Sequence, residues 1–319
     1  EQMEIPAVFN GYIQKKSFYN VYPRVPRGLY INHSKRFLND VNIRIGLQHA
    51  SNWQKVIDID LRGDAARLNV YNDGYGKFSN NKIIAREFSP EKARAAFAKS
   101  GFTKQGNDGV LQNEEGERLS FTITHTSSPV VNKMLQRLKE EALNAGLEYR
   151  LEGMDGTAGY QKVMQKKHDI TFWGWGTNPP FPRYFEGIHS SNAYDPGTKT
   201  PRVMTNNISV YSNPSADPLA QGIRFATSEE QIQKMSWDLE QILHDTAFWI
   251  PAYKREFYRL GHWRWMYWPD DFNVKLTREA QESYVYWIDV EEKEKTLRAR
   301  SDNKSYPEVD SIYDQYRIK

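Results

Sequence analysis

Between Leu119 and Leu151 the hydrophobic period changes twice, and that change dictates a parallel sheet. Leu119, Phe121 and Ile123 alternate with polar residues, the spacing of a strand. Ser128 and Pro129 then open a helix, because Ser caps an N-terminus well and Pro loses nothing in a first turn. Val131, Leu135, Leu138 and Ala142 fall on one apolar face, and Gly146 closes the helix. Leu147, Tyr149 and Leu151 alternate again. A crossover helix of this length most simply joins parallel strands with a right-handed connection. A short helix at about Thr157 to Lys166 and a further strand complete the rhythm of an α/β domain.

That further strand ends abnormally. Ile170, Thr171, Phe172 and Trp173 are β-branched or aromatic and suit a pleated surface. Gly174 and Gly176 then bracket Trp175, and Pro179, Pro180 and Pro182 forbid regular pairing beyond. Open α/β sheets place their ligands at such strand ends. The other reading is a packed strand end with two core tryptophans, since Trp is usually largely buried.

The flanks are punctuated as clearly. Asp40 caps a helix from about Val41 to Asp58, with Ile43, Leu47, Ala50, Trp53 and Ile57 on its apolar face. A second helix is bounded by Ser89, Pro90 and Gly101. Residues 177–214 form a long loop, of the kind that is usually functional or disordered. Two helices follow, the second opened by the capping box of Ser228 and Gln231. It leads to a strand at Ala247 to Tyr253 that contains Pro251. From Trp263 to Trp268 aromatics crowd the chain, and Glu291 to Arg300 reads as a solvated helix.

Several function classes find little support. The 43 basic and 40 acidic residues nearly balance at +3 and form no basic block, which argues against nucleic acid. No run of about 18 apolar residues exists, so nothing reads as a membrane span. Cysteine is absent, which removes thiol nucleophiles and zinc–thiolate sites and suits an oxidising compartment. There is no nucleophile elbow, P-loop or dinucleotide fingerprint. The seven histidines show no metal-ligand spacing. Glu186 and Asp195 flank the aromatic loop and are the best acid/base candidates, though isolated loop carboxylates are usually solvated. Aromatic signals without catalytic ones favour a binding protein over an enzyme, and no catalytic residue, metal or cofactor is assigned.

Five segments together resemble one family. They are LYINHSKRFLNDVNIRIGLQHASNWQKVI, SPEKARAAFAKSGF, DGVLQNEEGERLSFTI, FWGWGTN and HDTAFWIPAY, in that order over about residues 28 to 260. They are similar to the family 5 extracellular solute-binding proteins, the oligopeptide- and dipeptide-binding components of ABC importers. The resemblance implies an α/β fold: a type II periplasmic-binding-protein-like lobe with a mixed, largely parallel sheet flanked by helices, plus a partial first lobe. Residues 1–34 would be a hinge-side remnant of the first lobe, 35–246 the second lobe, and 247–319 the return to the first. Family members are roughly twice this length, so the chain reads as a C-terminal portion without signal peptide.

The implied function is binding of peptides or peptide-like ligands between hinged lobes, in the periplasm or outside the cell. The expected partners are the membrane permease subunits of the importer, and the expected state is a monomer. Phe172, Trp173 and Trp175 would form stacking walls, Gly174 and Gly176 would admit the ligand backbone, and Thr177, Asn178 and Tyr184 would add polar contacts. Strand neighbours face opposite sides, so one of Phe172 and Trp173 is expected in the core. Asn178 departs from the family, which carries there an Asp that pairs with the ligand's α-ammonium; an amide adds no charge. An oligosaccharide-binding importer component is the alternative, and a glycosidase or peptidase a more distant one.

Overall fold

The computed structural model describes residues 3–177, 179–272, 275 and 285–317. In chain order its main elements are β1 (Ile13–Tyr19), β2 (Gly28–Ile31), α1 (Val41–Ala50), α2 (Pro90–Lys99), β3 (Ser120–Thr126), α3 (Pro129–Leu143), β4 (Glu148–Met154), α4 (Gly156–Met164), β5 (Ile170–Trp173), α5 (Asp217–Phe225), α6 (Glu229–Asp245), β6 (Trp249–Pro251), β7 (Phe257–Trp263), α7 (Val290–Ser301) and β8 (Asp310–Tyr313). They form two compact units. The first joins Glu1–Tyr22 to Arg255–Lys319, and the second is Pro23–Lys254.

The second unit is built on a five-stranded sheet in the order β4-β3-β5-β2-β6. β3 pairs in parallel with β4, from Ser120 against Glu148 to Thr126 against Met154. It also pairs in parallel with β5, Ile123 against Ile170 and Thr124 against Thr171. β2 is antiparallel to both β5 and β6. β6 therefore runs the same way as β5, β3 and β4, and only β2 opposes them: the mixed, largely parallel sheet expected. Pro251 is tolerated because β6 is an edge strand, where a missing N–H breaks no ladder. β2 and β6 are both strands of this sheet, although the sequence reading places them in the flanking segments.

Strand alternation sends consecutive side chains into two separate apolar clusters. Leu29, Ile31, Ile123, Ile170 and Ile250 join Leu47 of α1, Phe97 of α2 and Leu135 and Leu138 of α3. Tyr30 and Trp249 join Val163 of α4, Ile223 of α5 and Leu239 and Leu243 of α6. Helices thus cover both faces, and each large aliphatic or aromatic side chain so buried contributes about 1.5–3 kcal/mol.

The caps act as the sequence implies. Asp40 accepts from the N–H of Asn42 (2.8 Å), Ser89 from Lys92 (3.2 Å) and Ser128 from Val131 (3.3 Å). Ser228 accepts from the N–H of Gln231, but the Gln231 amide reaches back to Thr227 rather than to Ser228. One helix differs. The run expected from Val41 to Asp58 stops at Ala50, because Ser51 bonds back to the Leu47 carbonyl and Asn52 caps a new turn at Lys55. A π-helical turn, Val56–Asp60, follows.

In the first unit, β1 lies between β7, antiparallel, and β8, parallel. Phe18 and Trp268 are its buried centre, with Leu260, Met266, Phe272 and Tyr313 around them. Trp263 and Trp265, from the aromatic run, stack at 4.7 Å. Only Thr296 of α7 is buried, so that helix has the solvated character expected.

One buried carboxyl ties loops to the second unit's core. The carboxyl of Glu240 on α6 is 2% exposed and accepts from the N–H groups of Asn72 (3.4 Å) and Asn80 and from the hydroxyl of Tyr184 (3.1 Å). Burial outweighs these donors and pushes the carboxyl up to about 8. A folded-state value above the unfolded one contributes stability that is complete below the ordinary Glu range and lost as pH rises through about 8. Urea midpoints should therefore fall between about pH 5 and about pH 9, and Glu240→Gln should flatten that slope. Identical pH profiles for the two proteins would remove Glu240 from this role.

Candidate functional site

β3, β4 and β5 are mutually parallel, so Thr126, Met154 and Trp173 end at one edge of the sheet. The aromatic segment leaves from that edge, and strand alternation splits its first two rings. Phe172 turns toward the first cluster and stacks on Trp53, centroids 5.7 Å apart and planes 23° apart. Trp173 turns to the opposite face, 6.0 Å from the exposed ring of Tyr160 and 5.8 Å from Trp175. Its indole N–H is buried without a partner among the described residues. Phe172 is thus the core-side member of the pair.

Beyond the strand, Gly174 and Gly176 are exposed and Trp175 is half-buried between them. The glycines do different work. A Cβ on Gly174 would lie 2.7 Å from Cγ1 of Val25 and 3.1 Å from Cγ of Arg27, so the residue lets the 23–27 segment pass close by. A Cβ on Gly176 would meet nothing within 4 Å, so this backbone stands open.

Thr177 is nearly buried and donates its hydroxyl to the Pro23 carbonyl at 3.1 Å, which commits it to holding the segment in place. Tyr184 corrects the sequence reading. It is 2% exposed in the second cluster with its hydroxyl on Glu240, and is a core residue rather than a surface contact. Burial pushes its phenol well above the ordinary range, so it stays neutral. Asn178 lies outside the described residues. Glu186 and Asp195 are both exposed.

The sequence reading missed a second feature of this edge. An open groove of about 490 Å³ is lined by His125, Ser127, Asn132, Lys133, Gln136, Leu151 and Gly153. It lies where β3 and β4 end and α3 begins. His125 continues the inward series Phe121 and Ile123, and sits opposite Gly153. A Cβ on Gly153 would come 3.2 Å from Cε1 of His125, so the glycine leaves room for the imidazole. The signal was in the sequence: an inward position at a strand's end, occupied by a titratable residue, three residues before an N-cap.

Charge is distributed unevenly here. Asp60 is buried and held by Arg137 through Nε and Nη2, with Lys133 farther off at 3.8 Å, so Lys133 adds a surplus positive charge beside the groove. Glu152 accepts from Thr124 and Lys162 on the sheet's other face. Burial opposes its ionisation, but Lys162, Thr124 and His125 together hold it below the usual carboxylate range. The α3 N-terminus adds the positive end of a helix dipole. The edge therefore combines an aromatic, open-backbone wall with a polar groove of positive character. Among the described residues, no cluster of three His, Cys, Asp or Glu is placed to hold a metal ion, and no helix is long and apolar enough to cross a membrane.

The family model "Bacterial extracellular solute-binding proteins, family 5 Middle" matches residues 5–195. Among curated proteins, y4wM of Sinorhizobium fredii, an uncharacterized protein, is 23% identical over 296 residues, covering 82% of this chain and 43% of that protein. The oligopeptide-binding protein AppA of Bacillus subtilis, solved with a nonapeptide, is similar in fold with a TM-score of 0.73 at 16% identity, covering 87% of this chain and 53% of AppA. NikZ of Campylobacter jejuni, solved with Ni(L-His), gives 0.72 at 18% identity, covering 89% of this chain and 56% of NikZ. The chain spans about half the length of the proteins it matches.

The two glycines make a paired test of the wall. Gly174→Ala should cost about 1–3 kcal/mol, as overpacking does, because the 23–27 segment must shift. Gly176→Ala should stay within about 0.5 kcal/mol of the parent. Urea denaturation of both variants measures this, and equal losses would contradict the division of labour.

Proposed function

Because the chain belongs to the bacterial extracellular solute-binding proteins of family 5, non-enzymatic components of ABC transporters that act in the periplasm or outside the cell, we propose that its second unit is the lobe holding a peptide or peptide-like ligand at the β3–β4–β5 edge. The first unit, in this reading, belongs to the opposing lobe, and uptake follows hinged closure and delivery to the permease subunits.

The observation that carries the reading is that two polar or aromatic surfaces lie at the end of the sheet where β3, β4 and β5 finish, one on each face. Trp175 offers a half-buried ring for stacking, and Gly176 beside it an exposed stretch of backbone with nothing within 4 Å of where a Cβ would lie. An extended peptide bonds through its own backbone to such groups with little regard to sequence. The groove, on the α3 face of the same sheet end, offers Lys133, His125, two amides, a hydroxyl and a helix N-terminus, donors suited to a carboxylate. AppA was solved with a nonapeptide, which supports the peptide reading, and NikZ with Ni(L-His), a nickel complex of an amino acid. In the sequence Asn178 stands where the family carries an Asp, so this chain brings an amide rather than a carboxylate at that position.

A second reading rests on the tryptophans. Trp173 and Trp175, 5.8 Å apart and tilted by 60°, with Tyr160 beside them, would also make a platform for sugar rings.

Thermal-shift screening of short peptides against cello-oligosaccharides separates the two readings. Peptides should raise the midpoint, and a response to oligosaccharides alone would replace the first reading with the second. By calorimetry, Trp175→Ala should weaken peptide binding by about 2 kcal/mol, as loss of a central aromatic contact does, with thermal unfolding nearly unchanged. Unaltered affinity would take Trp175 out of the site.

A further inference from the structure

β6 is an edge strand, and side chains cover the carbonyls on its open edge. Trp249 and Pro251 are two residues apart, so their carbonyls point the same way. The amide of Gln48 on α1 donates to the Trp249 carbonyl at 2.6 Å. Nη1 of Arg67 donates to the carbonyls of Pro251 and Ala252, the second at 2.6 Å. Arg67 reaches them because its backbone pairs with Tyr253 just beyond the strand. The oxygen of the Gln48 amide accepts from Nη1 of Arg86 at 2.6 Å, and the same nitrogen donates to the His244 carbonyl of α6 at 2.9 Å. Two guanidinium groups are thus fixed along one strand edge.

Both arginines line a small, mostly enclosed cavity of about 20 Å³, room for one water-sized occupant. The residues that their Nη1 atoms engage, Pro251, Gln48 and His244, line it too. Asn69 lines it as well; its side-chain oxygen accepts from the Ala85 N–H at 3.0 Å, which leaves its NH₂ group as a further donor. All the printed partners of the two guanidiniums are neutral oxygens. A guanidinium carries five N–H groups, and Nε and Nη2 of each arginine have no hydrogen-bond partner among the described residues.

The neighbouring acids do not compensate these charges. Asp73 pairs with Lys254 at 2.8 Å, and Glu87 with Lys92. Glu240 lines the cavity, but its oxygens accept from Asn72, Asn80 and Tyr184, and burial keeps its carboxyl largely protonated at neutral pH. Burial lowers Arg67 to about 9 with no charge offsetting it, whereas Asp245 partly restores Arg86. Buried charges with only neutral partners are costly. An occupant of so small a cavity touches both guanidiniums, and a negative one relieves both at once. The volume suits a monatomic anion and excludes phosphate, sulfate or a carboxylate with its carbon attached.

We propose that this cavity is a chloride site, in which one ion accepts from the uncommitted N–H groups of Arg67 and Arg86 and ties the 67–71 and 85–86 segments to the edge of β6. Such a site is independent of the ligand held where β3, β4 and β5 finish.

The test uses the whole chain at pH 7. Thermal unfolding is followed as sodium chloride replaces sodium gluconate at constant ionic strength, gluconate being too large for the cavity. The midpoint should rise by about 2 °C and level off, as a few-fold excess of a ligand over its dissociation constant produces. Arg86→Gln should lose that rise. Crystals grown in sodium bromide should show an anomalous peak in the cavity, in contact with both guanidiniums. Water alone in the cavity, or bromide only at the surface, overturns the proposal. A peak with no rise in the midpoint marks an adventitious ion only and overturns it as well, as does an equal rise in Arg86→Gln. Where that variant fails to fold, the anomalous peak and the saturable rise in the parent protein decide together.

Discussion

Burial of the second unit's sheet on both faces is the constraint on which the rest depends. A strand with one wet face can keep polar residues at every second position, whereas here β2 reads Gly28, Leu29, Tyr30 and Ile31, all buried. Leu29 and Ile31 go one way and Tyr30 the other, into clusters covered by different helices. Once both faces are covered, register has no freedom, since a slip of one residue would exchange the two sets. β2 lies antiparallel between β5 and β6, so it brings the strand that ends in the aromatic segment into the middle of the sheet.

The same alternation divides the site. Phe172 and Trp173 are adjacent in sequence but stand on opposite sides, Phe172 on Trp53 and Trp173 beside Tyr160. One anchors the strand and the other begins the wall. His125 shares the face of Phe121 and Ile123, so it comes to the groove on the α3 side of the sheet. Wall and groove come to the same end of the sheet, on its two faces, because three parallel strands finish together, although about fifty positions separate His125 from Trp175. Parallel topology collects distant residues at one edge, and this is the physical content of the rule that open α/β sheets bind at carboxyl ends.

What was legible in the sequence follows from the range of the forces involved. Ser89, Ser128 and Ser228 could be read as caps because a cap acts within three residues. The parallel pairing of β3 with β4 could be read because a crossover helix permits little else. Tyr184 was misread because its partner, Glu240, lies 56 residues away in sequence and only the fold brings the two together. The break after Ala50 was missed because Ser51 and Asn52 can either continue a helix or cap a new one, and the choice depends on Trp53 entering the core. The groove was missed for a related reason: His125 at an inward position was a local signal, but only the fold brings β4 and α3 around it.

The two surfaces differ in what they can discriminate. Stacking on an indole and bonding through an open backbone are tolerant, because nearly every extended peptide offers a flat amide and alternating donors and acceptors. The groove is of another kind, because its side chains, His125, Lys133 and two amides, offer discrete polar groups rather than a flat face. Placing the selective element in the groove rather than on the wall also spares the sheet. His125 pairs with Gly153 near the end of the β3–β4 ladder, and Trp173 pairs with Gly28 at the end of the β5–β2 ladder. Variation at the groove can therefore change what is held without disturbing the strand that carries the wall.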